Sequence, residues 1–117
     1  VESATVFADL WSWDGEGWKE HATTGERGVP EGRFSHVALV DTARDRLVVY
    51  GGAVDPGCTP AAEGMWELDL GALRWRFHLP SGRKGPGRRR WSAAAYSPDR
   101  GQLLLFGGDG PNGGRAG

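Results

Sequence analysis

Cysteine and methionine are nearly missing from this 117-residue sequence, and long apolar runs are missing altogether. Cys58 stands alone, so no internal disulfide framework exists, and one thiol assigns no compartment. The apolar runs end at stretches such as VALV, LVVY and LLLF, too short for a membrane-spanning helix or the apolar core of a secretory signal within these residues. Met65 is the only methionine, so a chain opening on Val1 is expected to have been processed, trimmed or cut from a longer one. A surplus of charge is lacking too. Fourteen Lys and Arg face 15 Asp and Glu, for a net charge of −1, and bulk electrostatic attraction to nucleic acid is not expected.

What the sequence has in quantity is glycine (20), proline (7) and tryptophan (6). Glycine and proline at that level punctuate many turns, and aromatic and β-branched residues between them point to an all-β class. So many tryptophans argue against a disordered chain. At this length there is at most one ordinary domain.

The chain also resembles itself. RFSHVALVDTARDRLVVYGG (33–52) and RWSAAAYSPDRGQLLLFGG (90–108) share Arg, an aromatic, Ser, a small apolar strand, a polar turn, an apolar run and Gly-Gly. In this alignment Arg33 lies beside Arg90, and the second copy is one residue shorter near Pro98. DLWSWDGEGW and GMWELDLGALRW add Trp11 with Trp66, Asp14 with Asp69, and Trp18 with Trp75, all at a period of about 56 residues. Each repeat reads as four short strands. VALV and AAAY suit a crowded inner strand, and LVVY and LLLF suit a strand buried on both faces. MWELD, LWSWD and RWRF alternate as half-exposed outer strands do. TARD, SPDRG, DGEG and DLGAL are turns.

Gly51-Gly52, Trp66 and Trp75 in one repeat, and Gly107-Gly108 with Trp11 and Trp18 in the other, resemble the kelch repeat. That resemblance implies one four-stranded blade of a β-propeller per repeat, with the four tryptophans packed between blades. Family members often carry tyrosine at the first aromatic, where this sequence has tryptophan. The family implies a fold more than a function, because kelch propellers include binding scaffolds, sugar-processing enzymes and an oxidase.

Numbered from the inside of a blade outward, the strands run three-four, one-two-three-four, one-two. The single repeat unit 1–117 then divides into an outer half-blade and loop (1–32), a complete blade (33–79), and a loop with an inner half-blade (80–117). Two blades cannot close a ring of four to eight. Unpaired strand edges invite another copy, so the expected assembly is a homotrimer forming a six-bladed propeller. The alternative expectation is a slice of a longer tandem array.

No catalytic residue, metal site or cofactor is assigned. His21, His36 and His78 lie in no metal-ligand spacing with one another or with Cys58. The glycine clusters open no helix, which sets aside a phosphate loop. Asp14 and Asp69 read as turn caps. The expected binding feature is the basic stretch SGRKGPGRRR, with Arg83, Lys84, Arg88, Arg89 and Arg90, joined by Arg33 and Trp91 at the propeller mouth. Arginine forks suit carboxylates and sulfated sugars. The reading is a non-catalytic binding or scaffold propeller for an acidic peptide or anionic glycan. The alternatives are a sugar-processing or lyase-type enzyme, or a repeat fragment or engineered unit with no evolved ligand.

Overall fold

The computed structural model describes residues 5–79 and 85–110. These residues form β-strands and turns: β1 (Leu10–Trp13), β2 (Trp18–His21), β3 (Thr24–Gly25), β4 (Val37–Asp41), β5 (Arg46–Tyr50), β6 (Met65–Asp69), β7 (Arg74–His78), β8 (Ala93–Ser97) and β9 (Gln102–Phe106). Strands β4 to β7 are an antiparallel meander in sequence order. The hairpins β1–β2 and β8–β9 are separate two-stranded sheets, one on each side of it.

The residue pattern decides which face packs where. Side chains alternate across a sheet, and the ladders set Leu47 opposite Leu68 and Leu68 opposite Trp75. Val49, Leu68 and Trp75 form the buried core on that face, and Leu10 from β1 packs against it. Trp66 joins it, its ring 6.2 Å from Trp75 and perpendicular to it. The Trp75 indole N–H donates to Thr23 Oγ1 at 2.9 Å. On the opposite face lie Val37, Val48 and Tyr50, buried beside the β8–β9 hairpin, with β8 running along β4.

Aspartates shape the hairpin turns as their positions predict. Asp14 Oδ1 accepts from the N–H groups of Glu16 and Gly17, and Asp69 Oδ1 from those of Gly71 and Ala72. Asp41 Oδ1 does the same for Ala43 and Arg44. One strand was not expected from sequence. β3 pairs parallel with β7, Thr24 opposite Arg74 and Gly25 opposite Trp75. The approach is close enough that a Cβ at Gly25 would lie 2.9 Å from the Trp75 carbonyl oxygen, so only glycine fits there.

The structure also corrects the repeat alignment. Phe34 bridges Ala53, and Arg90 bridges Asp109. Ser35 and Trp91 both take left-handed backbone angles (φ 59° and 61°), as do Asp45 and Gly101 (57° and 61°). Every pair is separated by 56 residues, with no deletion near Pro98. Arg33 therefore corresponds to Arg89, not Arg90, and His36 corresponds to Ser92, not Ala93. The shared RxS letters misled because backbone conformation, not side-chain identity, holds this segment.

With equivalent positions fixed, the two outer hairpins differ sharply from the four-stranded meander. Val48 and Tyr50 are 3% and 7% exposed, while Leu104 and Phe106, their counterparts, are 53% and 83% exposed. Leu68 and Trp75 are 0% and 9% exposed, while Trp13 and Trp18 are 54% and 65%.

Candidate functional site

The segments preceding β4 and β8, together with the chain leaving β5 and β9, meet at one end of the sheets. Four predicted binding residues converge there, in differing roles. Arg33 Nη1 donates to the Gly51 carbonyl at 3.1 Å, and its Nε to Glu31 O at 3.2 Å. Arg89 Nη1 donates to the Gly107 carbonyl at 2.9 Å, and its Nε to Pro86 O at 3.0 Å, with Nη2 also directed at Pro86 O. Both guanidinium groups thus tie the inner-strand entrance to the glycine pair that ends the second strand. Burial, opposed by nearby Glu31, holds Arg33 below its ordinary pKa; it remains charged.

Arg90 forms an ion pair with Asp109 at 3.1 Å, and its guanidinium carbon lies 4.3 Å from the Trp91 ring centre, a cation–π distance. The Asp109 hydrogen bond, and after it the Cys58 thiol, raise the Arg90 pKa. Its Nη1 is buried without a hydrogen-bond partner among the described residues. A crevice of about 60 Å³ lies against it, lined by Gly52, Cys58, Pro60, Arg89, Arg90 and Asp109. Trp91 is exposed and holds a left-handed backbone conformation that it shares with the equivalent Ser35. Its main-chain N–H donates to Ser35 O at 2.9 Å, which ties the backbone at this position to the segment before β4. Arg88 is exposed. Arg83 and Lys84 lie outside the described residues.

A second polar cluster sits at the opposite end of the inner strands, and sequence reasoning missed it. Tyr96 OH donates to Asp41 Oδ2 at 2.7 Å, and Arg44 Nη1 donates to the same oxygen at 3.1 Å. Arg44 Nη1 also lies 3.0 Å from Tyr96 OH. The Asp41 carboxylate is buried, so this triad is a polar bolt between β4 and β8. Tyr96 aligns with Val40 in the other repeat, so the repeat itself gave no signal.

Among the described residues, no group of three His, Cys, Asp or Glu side chains is placed to hold a metal ion. Cys58 is exposed, in a turn whose N–H donates to Asp55 O. His36 is exposed in the separate chain, yet desolvation by its surroundings first, and then Arg33, lower its pKa. Compared with known protein families, the chain matches no family model.

Proposed function

We propose that this chain is a non-catalytic scaffold of kelch-type β-propeller architecture, with three copies completing a six-bladed ring. The observation that carries this reading is the contrast between a complete four-stranded blade and two hairpins whose equivalent apolar side chains face solvent. The makeup of the inner strands, VALVD and AAAYS, supports binding over catalysis, because their one carboxylate, Asp41, is buried and its oxygens are taken up by Tyr96, Arg44 and its own turn. At the mouth, Arg88 and the Arg90–Trp91 pair form the surface for an anionic ligand, a carboxylate-rich peptide or a sulfated glycan. Arg33 and Arg89 hold that surface in shape.

Light scattering after gel filtration tests the ring. A mass of three chains is expected, and a single-chain mass at all concentrations overturns it. For the mouth, Arg88→Glu combined with Trp91→Ala should weaken binding to heparin or polyglutamate at least tenfold while leaving the circular dichroism spectrum unchanged. Unaltered binding would remove the mouth from the reading.

A further inference from the structure

We infer that the exposed face of β8–β9 and a groove beside β1 are two halves of one interface between copies, joined by a β-ladder of defined register. This rests on the propeller reading above and adds to it which strands and side chains meet.

Within the chain, the face of β4–β5 that carries Val48 and Tyr50 is covered by the neighbouring hairpin. The equivalent face of β8–β9 carries Ala93, Ala95, Leu104 and Phe106, opposed in pairs across the hairpin, and all four are exposed. At the other side of the chain, a groove of about 290 Å³ opens between β1 and β4–β5. Leu10, Leu47, Val49 and Trp75 line it, together with the charged Glu31 and Arg33. An apolar ridge and a largely apolar trough on opposite sides of one molecule make a heterologous contact, the kind that builds rings.

The occupant of that trough follows from the complete blade. β5 holds β6 with Leu47 opposite Leu68, Val48 opposite Glu67, Val49 opposite Trp66 and Tyr50 opposite Met65. In the half-blades, among the described residues, β9 pairs only with β8, and β1 only with β2. Transferring the ladder to equivalent positions sets Leu103 of one copy opposite Trp13 of the next. Leu104 then faces Ser12, Leu105 faces Trp11 and Phe106 faces Leu10. The alternation agrees with the surfaces. Leu104 and Phe106 fall on the face of Leu10 and Ser12, toward the groove. Leu103 and Leu105 fall with Trp11 and Trp13 on the opposite face. No charge is buried along the apolar ridge, and Phe106 replaces Tyr50, so no hydroxyl needs a partner there. One main-chain bond repeats as well. Gly52 N–H donates to Arg89 O at 2.8 Å within the chain, and Gly108 N–H stands where it would donate to Arg33 O of the next copy.

The test uses the whole chain with Cys58→Ser, carrying either Ser12→Cys with Leu104→Cys, or the two-residue slip Leu10→Cys with Leu104→Cys. Direct cross-strand pairs bring Cβ atoms within disulfide reach, and a slipped pair does not. Mild oxidation should link the first variant into covalent multimers and leave the second as single chains on denaturing gels. Cross-linking of the slipped pair alone, in a parent that still has a multi-chain mass, overturns the register while the ring stands. A parent of single-chain mass overturns the ring itself. Phe106→Glu supplies a variant with little folding risk, since that side chain is exposed in the separate chain. It should convert the assembly to single chains with an unchanged circular dichroism spectrum, and a retained multi-chain mass would overturn the interface.

Discussion

Asp41 shows how much one carboxylate can organise. Burial pushes its pKa up, but hydrogen bonds from Tyr96, the Arg44 side chain and the N–H groups of Arg44 and Ala43 outweigh that and hold it low. The turn aspartates are also lowered: Asp14 by the N–H groups of Gly17 and Glu16, Asp69 by those of Ala72 and Gly71, and Asp55 by the Thr59 side chain and N–H. An acid with a lowered folded pKa binds fewer protons folded than unfolded. Its stabilisation is therefore complete above the unfolded value of about 3.9 and is lost as pH falls through the folded value. His36 acts at a higher pH. Its lowered pKa keeps it neutral in the fold while the unfolded imidazole charges near about 6.5, so its share is lost as pH falls from there. The melting temperature should fall in two stages on acidification. His36→Gln should remove the upper stage, and Asp41→Asn should lower the melting temperature at neutral pH and shallow the lower stage. A single transition unchanged by either variant would refute this assignment. Of these residues, Asp14 and Asp69 were legible from sequence, because an Asp followed by small or glycine-rich turn residues caps its own turn. Asp41 with Tyr96 was not, since the two lie on different hairpins 55 residues apart. The mouth arginines were only half legible: their presence is plain, but Arg33 and Arg89 spend their donors on backbone carbonyls, which no spacing reveals.

Strands β4 to β7 were legible because two signals agreed, alternation in MWELD and RWRFH and unbroken apolar character in RLVVY. β3 escaped because two residues carry no periodicity, and its pairing depends on Gly25 meeting β7. Trp75 stands at the crossing of these elements, anchoring β7 to the core and reaching Thr23 just before β3. Trp75→Ala should cost about 3–5 kcal/mol, the usual range for truncating a buried tryptophan. Trp75→Phe should cost less, since it keeps most of the apolar contact and removes the hydrogen bond, a net contribution of about 0.5–1.5 kcal/mol. Urea denaturation midpoints would separate the two. Equal losses would mean that the hydrogen bond, rather than the packing, anchors β7. Proton exchange at the Thr24 and Gly25 amides should accelerate in both variants if Thr23 transmits the effect to β3.

At the scale of the whole molecule, the proposed ring has two kinds of contact between blades, and they are chemically unequal. Inside the chain, β4 and β8 are bolted by Asp41, Arg44 and Tyr96. At the contact between copies, the corresponding positions are Ser97, Arg100 and Val40, which cannot rebuild the bolt. In the proposed ring the contact between copies would thus be the weaker one, mainly apolar and governed by concentration. Gly51 and Gly107 distinguish the two contacts. Both have left-handed backbone angles (φ 74° and 76°), so alanine at either strains the backbone by roughly 1–2 kcal/mol. At Gly51 the new Cβ would also collide with the Arg89 carbonyl oxygen of the segment leading into β8, whereas at Gly107 it meets nothing within 4 Å in the separate chain. In the ring, its neighbour would be the Arg33 carbonyl of the next copy. Gly51→Ala should therefore lower the melting temperature at every protein concentration. Gly107→Ala should lower it far less in dilute solution, yet shift the concentration needed for assembly upward by tenfold or more. Sedimentation velocity across a dilution series, beside thermal scans at the lowest concentration, reads both effects. If Gly107→Ala assembled as readily as the parent chain, no blade from another copy would stand against that glycine.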